Sequence, residues 1–251
     1  MTVPAYLPYV LFTGNVLSLA AIFYGLNKAL ADASWPRPER LRAVTVSAAI
    51  LLGWLAVAFG LSAAGFYHVT ANGIPTIQYG VVLPILVGVF LIFRSKLAWR
   101  ILDAVPQPWL VGVQLYRALG VVFLILYAAG QLPGLFALPA GIGDVAVGLS
   151  APFVALAYAR NPRAAASRVR SWNLLGILDL VIAVTTGFLT APSLITPIEV
   201  HPSSELMTML PMVMIPVNLV PLSIVLHIAS LVKLHRAQVY AAGGKDARAA
   251  A

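Results

Sequence analysis

Seven apolar runs, separated by short polar stretches, organise the sequence near 6–27, 43–66, 78–93, 108–129, 136–159, 171–190 and 208–232. A hydrocarbon core about 30 Å thick takes roughly 20 apolar residues per helix. The pattern therefore predicts an all-α membrane protein with one seven-helix transmembrane domain over residues 1–235. A flexible cytoplasmic tail is expected over 236–251.

The polar stretches between the runs predict orientation, because Lys and Arg are retained on the cytoplasmic side during insertion. One set of connections carries Lys28, Arg37, Arg40 and Arg42, then Arg94, Lys96 and Arg100, then Arg160, Arg163, Arg168 and Arg170, and finally Lys233, Arg236, Lys245 and Arg248. The other set carries no Lys or Arg, and its last loop holds Glu199 and Glu205. The N-terminus is expected outside and the C-terminus inside, with the first helix retained as a signal anchor. The expected location is a plasma membrane, in a bacterium the inner membrane, as a multi-pass protein.

Composition agrees, with 61% hydrophobic and 10% charged residues. The net charge of +8 follows from retention of positive charge inside and points to anionic lipid headgroups as partners, with no nucleic acid expected. With no cysteine, the chain has neither disulfides nor thiolate chemistry. The loops are too short for a catalytic domain, and no phosphate loop, Ser-His-Asp set or zinc spacing is present. No cofactor is expected. A bundle this small leaves room for a homodimer.

Short matches between the first three helices and the last three predict a parallel 3+1+3 repeat. Gly14-Asn15-Val16 matches Gly143-Asp144-Val145, and Arg40-Leu41-Arg42 matches Arg168-Val169-Arg170. The layout resembles the seven-helix sugar carriers, which place two three-helix bundles around a linker helix. The resemblance is one of topology, because their paired Pro-Gln motif is missing and only Pro106-Gln107 is present. The topology is shared with rhodopsins, but no lysine lies in the middle of the seventh run to hold retinal.

Arg117 is the one basic residue among sixteen that falls deep within an apolar run. Asp179 falls at matching depth, both roughly 12–14 Å from the basic side at 1.5 Å per residue. Charges at mid-membrane face the protein interior and need partners, so the two are expected to pair. Gln114 lies three residues from Arg117. Asn173, Gly176 and Asp179 recur at three-residue steps with Trp172 beside them, which puts these groups on facing helix surfaces. Asn218 and Asn15 offer further polar groups near mid-depth. Interhelical fastening accounts for each amide singly, whereas a desolvated ion pair is a poor stability device beside apolar packing and points to a solute, ion or gating role.

Asp144 has two readings. It lies near the outer edge if the fifth helix starts at Ala140, and about 15 Å deep if the helix already includes Gly134. Gly141-Ile142-Gly143-Asp144 resembles the Gly-x-Gly-Asp signature of intramembrane aspartyl proteases, which implies Asp144 and Asp179 as a dyad. In that family the other aspartate comes first in the chain, and the family's Pro-Ala-Leu element is absent from the last helix.

Pro211, Pro216 and Pro221 recur every five residues of the seventh run. Each removes a backbone donor, which makes that helix the candidate gate, with Pro84 as its counterpart in the third. Met207, Met209, Met212 and Met214 with His201 raise the question of Cu(I), although packing explains a methionine cluster equally well. His227 reads as a satisfied core histidine with a proton relay second. The sequence thus predicts a small-solute or ion transporter with a polar mid-membrane site. The alternatives are a non-transporting sensor or assembly protein and, behind both, the protease.

Overall fold

Proline sits in the first turn of four helices, where its missing N–H removes no intrahelical bond. The computed structural model describes residues 4–70, 73–195 and 198–249, of which 240–249 by backbone alone. They form α1 (Leu7–Asp32), α2 (Arg37–Ala63), α3 (Ile77–Arg94), α4 (Lys96–Ala104), α5 (Gln107–Gly112), α6 (Val121–Ala128), α7 (Gly134–Arg160), α8 (Pro162–Leu189) and α9 (Val220–Ala249). No strand occurs among the described residues.

Seven helices are long and apolar enough to cross a membrane, and the chain is a multi-pass membrane protein. The fourth span, Gln107–Ala128, joins α5 to α6 through an eight-residue 3-10 segment, Val113–Gly120. The seventh, Ile215–Val239, opens with a π-helical turn, Ile215–Leu219, that leads into α9.

Several boundaries differ from those read by hydropathy. The stretch 160–170 is mostly helix, because Asn161 caps α8 by accepting from the Ala164 N–H and Pro162 follows at the first turn. The seventh span starts at Ile215, so Pro211 lies ahead of the helix, Pro216 lies in the π turn and Pro221 at the start of α9. The backbone of α9 runs on to Ala249; the side chains of Lys245 and Arg248 lie outside the described residues.

The short amphipathic α4 is an addition. Ser95 caps its start by accepting from the Ala98 N–H. Lys233 closes its end by donating from Nζ to the Leu102 and Asp103 carbonyls at 2.7 and 3.0 Å. Arg236 pairs with Asp103 and Arg100 with Glu39, and the two guanidinium groups stack on Trp99 and Trp35. These contacts tie together one end of the bundle, called here the basic end.

Burial separates the spans. Over the apolar 18-residue stretch of each, 61% of the seventh span is buried and only 6% of α2. Close packing around the fourth span needs residues without side chains. A Cβ on Gly25 would lie 1.9 Å from the Trp109 ring, and one on Gly148 would lie 2.4 Å from the Ala118 nitrogen. The peripheral α2 is held by Trp54, whose Nε1 donates to the Val217 carbonyl at 2.9 Å. That carbonyl is the one Pro221, lacking an N–H, cannot use.

Candidate functional site

The 3-10 segment sets the geometry of the site. Its three residues per turn stack Gln114, Arg117 and Gly120 in one row, and all three are buried. Arg117 lies ten residues into the fourth span, Asp144 ten residues into α7, Asp179 ten residues before the end of α8, and His227 twelve residues into the seventh span. Each position is roughly 15–18 Å from a helix end, so all four converge at mid-depth. Asp144 therefore takes the deeper of its two sequence readings, because α7 starts at Gly134 and carries Pro139 within it.

Arg117 has five N–H donors, and each of its three nitrogens is hydrogen-bonded inside the protein. Nε donates to Asp144 Oδ1 at 2.8 Å, and Nη2 is paired with the same oxygen at 2.7 Å. Nη2 also donates to Asp179 Oδ2, with which it forms a second ion pair. Nη1 donates to the Gly176 carbonyl and to His227 Nε2, both at 3.1 Å.

That last bond fixes the histidine tautomer. A guanidinium cannot accept, so His227 Nε2 is the acceptor and Nδ1 carries the proton. Nδ1 then donates to Asn173 Oδ1 at 2.8 Å. Asn173 Nδ2 donates to Ser230 Oγ at 2.9 Å and to the Val169 carbonyl, and Gln107 Nε2 donates to the same Ser230 Oγ at 2.6 Å. An unbroken set of hydrogen bonds thus runs from the carboxylates to Gln107 at the basic end.

Glycines make room for the charges. A Cβ on Gly143 would lie 1.6 Å from Asp179 Oδ1, one on Gly120 would lie 2.3 Å from the Asp144 Cβ, and one on Gly176 would lie 2.5 Å from His227. Trp172 donates to Ser150 Oγ at 2.9 Å and places its ring 5.1 Å from that of His227. With both carboxylates ionised and His227 neutral, the cluster carries one positive and two negative charges.

Three spaces reach the cluster. One of about 70 Å3 extends to Asp144 from the loops at the end opposite the basic one, between walls that include Phe123, Phe136, Leu180, Phe188 and Ile215. A second, of about 20 Å3, is bounded by Arg117, Asp144, Tyr116 and Ser223 and is about the size of one water. The third, a groove of about 370 Å3 between α7 and α8, reaches Asp179 past Gly143.

The structure brings Arg117, Asp179, Asp144, Asn173 and Trp172 together. Gln114 joins indirectly, donating to the Ser223 carbonyl at 3.0 Å, while Tyr116 and Ser223 pair through their hydroxyls at 2.6 Å. Asn218 stands apart, donating to Asn15 Oδ1 at 3.0 Å, and this pair fastens the first span to the seventh. Met207, Met209 and Met212 pack in one apolar cluster and Met214 in another. No group of three or more His, Cys, Asp or Glu residues suited to a metal occurs among the described residues.

His227 is the satisfied core histidine that the sequence suggested, but its place beside Arg117 was not read; Gln107 was noted only for its Pro-Gln pairing with Pro106, and Ser230 was missed. A signal was present: Gln107 and Gln114 are seven apart on the fourth span, and Ser223 and Ser230 are seven apart on the seventh. Two turns of each antiparallel helix thereby meet as Gln107 with Ser230 and Gln114 with Ser223.

No curated protein and no solved structure matches the chain. A family model does match, over residues 74–235, a stretch that holds Arg117, Asp144, Asp179 and His227 and leaves out α1 and α2. The chain belongs to the family defined by that model, a domain of unknown function designated DUF8737.

Proposed function

We propose that this protein carries a small solute or ion across the membrane, with the Arg117–Asp144–Asp179 cluster as its working centre. One observation supports this above the rest: two carboxylates face a single guanidinium at mid-depth, and a cavity leads to one of them. Unbalanced buried charge is costly in a bilayer, and a cluster serving only to fasten helices has no use for the second carboxylate. Arg117 is the fixed countercharge in this reading, since each of its nitrogens is already held by a group of the protein. Asp144 and Asp179 are the groups that exchange a proton or bind a cation.

The membrane is expected to hold the basic end inside, against anionic headgroups, so that the cavity opens outside. The 3+1+3 repeat and a homodimer belong to the same proposal. Pro216 within the π turn and Pro221 just after it are the hinge candidates, with Pro211 just ahead of it.

The rival reading, an assembly or sensor protein, draws on the engagement of every Arg117 nitrogen by groups of the protein. A protease draws little, because the guanidinium stands between the two carboxylates, whereas a catalytic dyad shares a proton directly. Vesicles containing the purified protein and an internal pH dye separate the first two. Wild type is expected to pass protons or a co-transported ion, and the Asp144→Asn, Asp179→Asn double variant is expected to pass none. Equal flux from both would reject the cluster as the site.

A further inference from the structure

We infer that the cavity ending at Asp144 is a binding site for a small alkylammonium cation, a class that the proposed permeation function leaves open and on which this inference builds.

The floor of the cavity is anionic. Asp144 is the one charged residue lining it. Both contacts from Arg117 to Asp144 fall on Oδ1, and Oδ2 takes no hydrogen bond from the described residues. With Asp179 ionised as well, the cluster keeps one negative charge beyond what Arg117 neutralises. A bound cation would balance it.

The walls exclude the alternatives. Phe123, Phe136 and Phe188 line the cavity beside Leu180, Val184 and Ile215. A bare Na+ or Ca2+ needs about six oxygen ligands; besides Asp144 the lining side chains that carry oxygen are Gln78, Ser204 and Thr208, and the rest of the wall is carbon. An alkylammonium suits both surfaces, with its N–H directed to the carboxylate and its methyl groups on apolar and aromatic faces. By the measure on which about 10–15 Å3 holds one water, a space of about 70 Å3 holds roughly five, so the head group is limited to a few non-hydrogen atoms.

The entrance has the matching sign. Connections 64–76, 129–133 and 190–214, at the end where the cavity opens, contain no Lys or Arg. Glu205 lies next to the lining residue Ser204 and pairs with His68 at 3.1 Å. With Glu199 and Glu205 and no Lys or Arg in these connections, the mouth favours positive solutes over anions.

Calorimetric titration of the full chain in detergent with trimethylammonium chloride tests the idea. Saturable binding is expected, with none for sodium chloride, for tert-butanol as the uncharged analogue of the same shape, or for the oversized tetrabutylammonium. Asp144→Asn is expected to weaken binding by about thirtyfold or more, in line with loss of a buried charge partner. Because that change also alters the surroundings of Arg117, a second variant, Ala183→Phe, fills the cavity without touching the cluster and is expected to abolish binding. Equal binding of tert-butanol, or binding indifferent to both variants, overturns the proposal. If trimethylammonium fails to bind while vesicles still show proton flux that depends on Asp144 and Asp179, the ligand class is wrong and the permeation reading survives. If it binds as expected and no flux of any kind is found, the site stands and the permeation reading falls.

Discussion

The two halves of the bundle on either side of Arg117 are built on opposite terms. Toward the basic end the interior is filled with amides and hydroxyls that bond to one another, from His227 through Asn173 and Ser230 to Gln107. Toward the other end the interior is apolar, aromatic and incompletely filled, with space that reaches Asp144. Directional bonds specify one arrangement, although Oε1 of Gln107 and of Gln114 is buried without a partner among the described residues. Apolar walls have no such register, so a solute can enter between them without breaking a hydrogen bond. On the proposed permeation reading, the basic half would seal and the other half would admit the solute.

Arg117 belongs to both halves, so removing it should have the largest effect. Arg117→Met strands two carboxylates and leaves His227 without its donor, and is expected to cost about 3–5 kcal/mol, as for a broken buried ion pair. Thermal unfolding in detergent would show it. Replacing Arg117, Asp144 and Asp179 together by Met, Asn and Asn removes the charges in balance and is expected to restore most of that stability while abolishing flux. A triple variant as unstable as the single one would mean that the cluster holds the fold together by more than its charges.

Gly143→Ala tests how tightly the carboxylates are placed. Its methyl would meet Asp179 at 1.6 Å, so α7 and α8 must separate or Asp179 must turn away from Arg117. An overpacking cost of about 1–3 kcal/mol is expected, with loss of flux. Ser230→Ala acts on the sealing half alone, taking an acceptor from both Gln107 and Asn173. Interhelical hydrogen bonds in membranes are worth about 0.6 kcal/mol on average, so a cost of about 1 kcal/mol is expected. The more telling readout is proton leak through vesicles in the absence of solute, which should rise. Trp54→Phe has the smallest expected effect, about 0.6 kcal/mol for one bond to the Val217 carbonyl. It should loosen α2, seen as faster protease cleavage in the α2–α3 connection, and leave the flux through both halves intact.

Apolar length made the seven spans legible, because burial in lipid requires a continuous run whatever the packing. Their ends were not, wherever the helix continues through charge. α2 begins at Arg37 and α8 at Pro162, each with basic residues in its first turns that a hydropathy reading assigns to loops. The charges at mid-depth were legible because lipid tolerates none unpaired, and Arg117 with Asp179 follows from that alone. Asp144 required knowing where α7 starts. His227 lay beyond reach for another reason: from the seventh span alone it faces away from Asn218, and only the packing of three helices shows that Asn218 belongs to a different contact, with Asn15. The 3-10 segment and the π turn left no sign in hydrophobic periodicity over so few residues.

The 3-10 form of Val113–Gly120 has a mechanical consequence. Rise per residue is about 2.0 Å in a 3-10 helix and about 1.5 Å in an α-helix. Rewinding these eight residues into α form would shorten the fourth span by about 4 Å and turn α6 relative to α5 by about 20° for each residue rewound. Such a screw would exchange one set of backbone hydrogen bonds for another, and Arg117, which lies inside the segment, would turn with it.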